Sequence, residues 1–223
     1  DTYNGVFVVD VSEPSQPRVV ARRGLPFIHD RSDPSPAAGL TLGDDTVFVA
    51  GAWSDVHRFS WDTSSAHQER KDDVPPNLSP PPNSIPDSRF RTYRPPGQVH
   101  SVACDQGVAF AACGNAGLRA VKITPEIRQL ADYATVGFAL GVDARQGKVY
   151  AAEGGGLSIW EHLGSGQLRA LGRYRSTDNA VRQVVVADQY ALLSVGAASL
   201  HIVDVSNPHD PKLLLKDSRL GLC

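Results

Sequence analysis

The sequence contains no methionine, only three cysteines and almost no net charge. Its formal charge is −2, and its lysines and arginines are scattered along the 223 residues. A protein that binds nucleic acid needs a basic stripe, and a peripheral membrane helix needs a basic amphipathic face. The apolar runs also fall short of the roughly 18 residues that a spanning helix requires. We therefore expect no nucleic-acid partner and no membrane insertion.

The missing initiator methionine and the cysteine spacing carry two further expectations. A chain that starts at Asp1 is expected to be a processed product or a piece of a longer protein. In a hairpin centred on Gln106, Cys104 would pair with about Val108, so Cys104 and Cys113 should not form a disulfide. Cys223 could pair with a segment outside this sequence. No cysteine or histidine pair has zinc-ligand spacing, so no metal site is expected.

Sequence motifs for catalysis are also missing. There is no nucleophile elbow, no phosphate-binding loop and no H-E-x-x-H pattern. The glycine-rich "EGGG" at 153–156 lacks the following helix that would hold a phosphate. No cofactor is expected from these patterns.

What the sequence does contain is a recurring short apolar run preceded by a turn. No segment repeats apolar residues at helical spacing, whereas the runs are short, rich in Val and Leu, and often alternate with polar residues, as strands do. The copies are "NGVFVVD" (4–10), "SDVHRFSWD" (54–62), "AGLRAVK" (116–122), "GGLSIWE" (155–161) and "ASLHIVD" (198–204).

Each complete repeat adds three more strands to this run. Two apolar strands joined by a tight polar turn such as "DQG" or "RQG" come before it, and a fourth strand such as "QLRALGRYR" (167–175) follows. Four antiparallel strands in about 40 residues are the pattern of a β-propeller blade. The predicted fold is therefore all-β, a propeller of four-stranded antiparallel blades.

The repeats divide the chain, as a single domain, into about five blade units. The first unit lacks its two inner strands, and the proline-rich stretch 63–88 in the second predicts an extended surface loop. Either five blades close into a ring, with the C-terminal "SRLGLC" adding a strand to the first unit, or the chain is part of a larger propeller. The units are 1–37, 38–98, 99–139, 140–181 and 182–223.

The two ends of the chain share a longer motif. "VDVSEPSQP" at 9–17 and "VDVSNPHDP" at 203–211 keep the pattern V-D-V-S-x-P-x-x-P. Asp and Ser can bond backbone N–H groups two or three residues on, and proline suits a blade edge, so the motif predicts a turn between the third and fourth strands. These copies resemble the LVIVD-repeat family. That resemblance implies a propeller-like fold, often in surface-exposed or secreted proteins, and no particular chemistry.

Binding residues are expected on one face of the propeller, here called the upper face. It carries the loops from each fourth strand to the next blade and the turns between second and third strands. Aligning the first strands places Ala38, His100, Leu140 and Arg182 at equivalent positions near the pore. The candidate ligand-binding residues, a set suited to an anionic or sugar-like ligand, are His29, Asp30, Trp53, Asp55, His100, Asn115, Glu153, Asp178 and Arg182.

The sequence thus predicts a non-catalytic propeller that serves as an interaction or structural module, extracellular or at the cell surface. Its partner would be a protein or a glycan, or the remainder of a larger assembly. The alternative is a carbohydrate-active enzyme, a polysaccharide lyase or glycoside hydrolase, with its site on the upper face. That alternative requires a histidine or tyrosine base, or paired carboxylates, in one pocket near the pore.

Overall fold

The computed structural model is an all-β propeller arrangement of four complete blades. It describes residues 5–24, 37–42, 46–51, 55–60, 91–122, 127–178 and 180–218. Four antiparallel sheets have four strands each, and one sheet has two. The predicted fold class is confirmed, but the expectation of five blades is wrong. The first unit forms only the two-stranded sheet, because the described part of the chain supplies it with no inner strands.

The strands follow one another along the chain without crossovers. The two-stranded sheet contains β1 (Gly5–Asp10) and β2 (Arg18–Gly24). Blade 1 contains β3 (Ala37–Leu42), β4 (Thr46–Gly51), β5 (Asp55–Ser60) and β6 (Arg91–Tyr93). Blade 2 contains β7 (Ser101–Asp105), β8 (Val108–Ala112), β9 (Leu118–Lys122) and β10 (Arg128–Tyr133). Blade 3 contains β11 (Ala139–Arg145), β12 (Lys148–Glu153), β13 (Gly156–His162) and β14 (Leu168–Arg175). Blade 4 contains β15 (Val181–Ala187), β16 (Tyr190–Val195), β17 (Ser199–Asp204) and β18 (Lys212–Asp217).

Tight turns join the first two strands of blades 2, 3 and 4, as the sequence predicted. Gln106 and Gln146 have φ near +50°, and each is followed by a glycine that also has positive φ. Two residues with positive φ are what a type I′ hairpin turn requires. This turn places Cys104 opposite Ala109, so the predicted pairing with Val108 is wrong by one residue.

Cys104 and Cys113 do not form a disulfide with each other, as predicted. Cys113 is fully buried, and burial raises the pKa of its thiol to about 12. Cys223 and the proposed "SRLGLC" strand from 219 onward lie outside the described residues, as does the loop 63–88. In the described residues, no helix has the length and apolar character to cross a membrane.

The apolar cores lie between blades, not within them. One cluster joins Phe48 and Val56 of blade 1 to Val102 and Val121 of blade 2. Two further clusters join blade 2 to blade 3 and blade 3 to blade 4 in the same way. A sheet buries an apolar face only against another layer, so each blade depends on its neighbours for its core.

Tyrosine hydroxyl groups connect the outer parts of neighbouring blades. Tyr93, Tyr133 and Tyr174 each pair in register with the first apolar residue of their third strand, so they occupy one repeat position. The Tyr93 hydroxyl donates to the Gln129 side chain in blade 2. The Tyr133 hydroxyl donates to the Gly166 carbonyl at 2.8 Å and accepts from the Leu168 N–H at 2.9 Å. Asp217 takes this position in blade 4.

The shared motif forms the predicted turn and also contacts the neighbouring blade. Asp204 accepts from the Ser206 N–H at 2.8 Å, as Asp10 does from Ser12 at 2.9 Å. In blade 4 the turn lies against β14 of blade 3. A Cβ on Gly172 would lie 2.2 Å from the Pro208 carbonyl oxygen, so only glycine permits this approach.

Replacing Tyr133 with phenylalanine should destabilise the protein by about 1–2 kcal/mol, because it leaves the Leu168 N–H and the Gly166 carbonyl without this partner. The measurement is the free energy of unfolding from urea curves. Tyr190→Phe is the matched control, since among the described residues the Tyr190 hydroxyl is hydrogen-bonded only to the neighbouring Gln189 side chain. The control should change stability by less than about 0.5 kcal/mol. Equal effects of the two substitutions would show that the inter-blade bond contributes nothing.

Candidate functional site

The upper face is organised by a repeated bulge at the start of the inner strands. In each of β3, β11 and β15 a register shift leaves one residue without a paired residue on the neighbouring strand. These bulged residues are Ala38, Leu140 and Arg182. His100 comes directly before β7, and its N–H donates to the Ala112 carbonyl at 2.9 Å. The four residues therefore lie at equivalent positions, as predicted. Because a bulge re-aims the side chain it carries, this position varies without disturbing the blade core.

Three candidate residues lie outside the described residues, namely His29, Asp30 and Trp53. Asp55 begins β5, and nothing is described of its side chain. Asn115 is exposed in the turn after β8, and Arg182 is exposed in β15. His100 is half-buried beside Gly114, and burial lowers the pKa of its imidazole.

Glu153 differs most from the expectation of an accessible binding residue on the upper face, because it is fully buried at the end of β12. Gly51, Cys113 and Val195 hold its register position in the other blades, so a carboxylate replaces small or apolar residues there. Its Oε1 accepts from the Ser158 hydroxyl, and its Oε2 accepts from the Val136 N–H.

A cation faces the same carboxylate. The Arg173 Nη2 lies 4.0 Å from Glu153 Oε1. Burial raises the pKa of Glu153, and the Val136 N–H and the Arg173 charge oppose that rise. The carboxylate thus connects the loop after blade 2 to the outer strands of blade 3.

A cavity of about 280 Å³ lies beside this network. It is lined by Thr135 and Val136 from the loop and by Trp160 and Arg173 from blade 3, together with apolar residues of β14. Glu153 borders the cavity but is closed to solvent, so Arg173 is the charged group that a small molecule would meet. His100 and Arg182 do not line this cavity. Within the described ranges, no three His, Cys, Asp or Glu side chains are placed to hold a metal ion.

The loop 134–138 supplied no candidate residue, although it joins a fourth strand to the next blade, as the loops that contain His100 and Asp178 do. It presents Val136 and Phe138, whose exposed fractions are 62% and 58%. Besides the bond to Glu153, the Thr135 hydroxyl donates to the Gly137 carbonyl at 2.8 Å. The sequence signal was a phenylalanine in the loop "ATVGF", flanked by strands that already supplied the core.

Asp178 belongs to a different group of side chains, between blades 3 and 4. It bonds Lys216 Nζ at 2.8 Å and lies 3.1 Å from His201 Nε2, off the direction of a linear hydrogen bond. His201 Nδ1 is hydrogen-bonded to the Tyr174 hydroxyl at 2.8 Å. The Lys216 ammonium lowers the pKa of Asp178, and burial raises the pKa of Tyr174. Tyr174 and His201 are buried, so this group extends the tyrosine contacts between blades.

Glu153→Gln should remove a component of the pH dependence of stability. Because the folded-state pKa of Glu153 is raised above 4.5, the native state keeps its proton to higher pH than the unfolded chain does. The stability from this proton is present below pH 4.5 and is lost as the pH rises through the raised pKa. Glutamine still offers an acceptor to the Val136 N–H and does not titrate. The measurement is the difference between the wild-type and variant free energies of unfolding across this range.

The control is Glu161→Gln, which removes a partly exposed carboxylate paired with Arg169. This variant should keep the wild-type loss of stability above pH 4.5. Parallel pH curves for the wild type and Glu153→Gln would contradict the assignment of a raised pKa to Glu153.

Comparison with solved structures shows the fold. A functionally unknown protein from Desulfotomaculum acetoxidans matches with TM-score 0.65 and 12% identity over 100% of this chain and 66% of its own. The β-propeller domain of Cps50 (Swd1) from Myceliophteria thermophila matches with TM-score 0.63 and 12% identity, over 90% and 61%. The computationally designed Ika4 protein matches with TM-score 0.54 and 10% identity, over 81% and 98%. The chain therefore spans about two thirds of the length of the two natural structures.

Comparison with curated proteins finds no match. Comparison with protein families finds the LVIVD repeat, at residues 1–22 and 179–216. Both matched segments contain a copy of the V-D-V-S-x-P-x-x-P motif. The two ends of the chain therefore match the LVIVD repeat, as the sequence predicted.

Proposed function

We propose that this propeller is a non-catalytic interaction module, secreted or displayed at the cell surface, and that it binds a protein or glycan partner through its upper face. The proposal rests chiefly on one observation. An apolar pair, Val136 and Phe138, projects into solvent from a loop whose backbone is anchored by a buried carboxylate. The location is proposed from the resemblance to a repeat family whose members are often surface-exposed or secreted.

Anchoring of the loop matters for affinity, because a segment that is mobile in the free protein loses conformational entropy when a partner orders it. A loop already fixed by Glu153 and Thr135 loses little entropy when a partner covers it. Aromatic side chains are enriched at the centres of interfaces, where they fill pockets on the partner. Phe138 fits that role, and Val136 two residues away extends the apolar patch.

The same face offers polar groups around this pair. Asn115 and Arg182 are exposed at the upper ends of blades 2 and 4. A glycan would stack on Phe138 and bond such polar groups, whereas a protein would bury both Val136 and Phe138. The second apolar residue favours a protein partner, and the glycan is the other outcome of the test.

The carbohydrate-active alternative stays a prediction. It requires a base that reaches a polysaccharide in an open pocket. Tyr174 and His201 are only 8% and 1% exposed, so neither side chain is accessible to such a substrate. No contact of the described residues favours it over binding.

Placing a photo-reactive phenylalanine analogue at position 138 tests this proposal. In the secreted and cell-wall fractions of the native host, illumination should attach one predominant partner, which mass spectrometry identifies as peptide or glycan. Val136→Ser should lower that yield at least about tenfold, as expected for a central interface residue.

The same analogue at Leu163 is the control, because Leu163 is 52% exposed in the loop between β13 and β14, on the opposite face. It should attach none of that partner. The proposal is wrong if positions 138 and 163 attach the same molecules in similar amounts, or if neither attaches any.

A further inference from the structure

Blade 1 has an uncovered apolar face where the other blades have a core. We call the face of a blade toward the preceding unit its near face. On the near face of the inner strand, Leu40 has an exposed fraction of 58%. The residues that share its register position in the other blades are 4%, 5% and 3% exposed, namely Val102, Val142 and Val184.

Leu42 repeats the contrast two residues further along β3. It is 69% exposed, whereas Ala144 and Val186 at its position are 8% and 2% exposed. Two large leucines therefore face solvent at positions that the other blades bury, or half-bury in the case of Cys104. In blades 3 and 4 these positions lie in clusters that include inner-strand residues of the preceding blade, such as Phe110 and Tyr150.

Only the inner part of this near face is open. Val47 and Val49 lie on β4 beside β3, and Leu40 and Leu42 pair with them in register. Val47 and Val49 are 4% and 0% exposed. The outer part of the face is thus already covered, so a complete blade or the flat side of a second copy would not fit. The open strip is therefore the near face of β3.

The two-stranded sheet β1–β2 has the register of an outer half-blade. Its bulge falls between Val8 and Val9, at the same repeat position as the bulge between Ile202 and Val203 in blade 4. It therefore corresponds to the third and fourth strands of a unit. Among the described strands, β1 pairs only with β2, and none of them occupies its inner edge, where a second strand would pair.

We propose that an apolar β-hairpin of a partner polypeptide adds to the free edge of β1 and covers Leu40 and Leu42. Its backbone would continue the sheet from β1, which is the β-augmentation mode of recognition. Alternate side chains on one face of the hairpin would be small or branched and apolar, as in the inner strands of the other blades. The bound hairpin would complete the first unit as a four-stranded blade.

A peptide of this chain provides the probe. Residues 181–196 form the inner hairpin of blade 4, β15 and β16, and place Val185 and Leu192 on the face that would meet blade 1. A synthetic peptide of residues 181–196, titrated into the full chain, should bind saturably by calorimetry. Amide hydrogen exchange of β1 should slow at least about tenfold in the complex, because free-edge N–H groups gain acceptors.

Leu42→Asp should weaken the peptide at least about tenfold, because binding would bury an unpaired carboxylate. The substitution should not unfold the chain, since Leu42 is already exposed. Leu163→Asp is the control, because Leu163 is an exposed leucine in the loop between β13 and β14, on the face of the propeller opposite the upper face. This variant should bind the peptide as tightly as the wild type does. A peptide of the same composition, scrambled so that its apolar residues no longer alternate along each strand, should not bind.

The proposal is overturned if the 181–196 peptide does not bind, or binds without protecting β1. It is also overturned if light scattering shows a wild-type dimer that Leu42→Asp converts to a monomer, since a second copy would then cover the face. Binding that Leu42→Asp and Leu163→Asp weaken equally would locate the peptide elsewhere and contradict it as well.

Discussion

The fold depends on one constraint, which is that no blade buries its own apolar faces. Each apolar cluster contains residues of two neighbouring blades, and the fully buried residues of one blade lie against the next. A four-stranded sheet alone would leave both faces in water, so the stability of every unit includes an interface term from its neighbours. This coupling explains why the repeat preserves apolar positions more strictly than its turns. It also means that an uncovered face, as in β3, lacks the interface term that the other inner strands receive from the preceding blade.

Polar contacts are added to this apolar scheme at the blade boundaries. Tyr93, Tyr133 and Tyr174 reach across at the outer strands, and His162 bonds Asp105 of the preceding blade at 3.0 Å. Glu153 makes such a contact at the upper face, where it fixes the loop 134–138. The residues that distinguish one unit from another are therefore the ones that shape the surface. We expect function to be carried by these deviations from the repeat, because the repeated positions are used for packing.

Much of the fold was predictable because the copies of the repeat can be recognised and aligned in the sequence. The strands, the hairpin turns at Gln106 and Gln146, and the equivalence of Ala38, His100, Leu140 and Arg182 follow from aligning the copies. The blade number did not follow, because the sequence shows that the first unit lacks its inner strands but not whether another segment completes that unit. Burial of Glu153 was also missed, since an acidic residue before glycines is usually a solvated turn. The exposure of Phe138 was not predicted for a related reason: in a strand-rich sequence an aromatic residue beside "AL" is expected to be core.

Native-state amide hydrogen exchange tests most directly whether each blade is stabilised by its neighbours. The inner strands β3, β7, β11 and β15 have the same place in the repeat, and each pairs with one strand of its own blade. If cover from the preceding unit determines stability, amides of β3 should exchange at least about tenfold faster than those of β7, β11 and β15. Equal protection in all four strands would contradict the account, because each blade would then be stable regardless of what covers its near face.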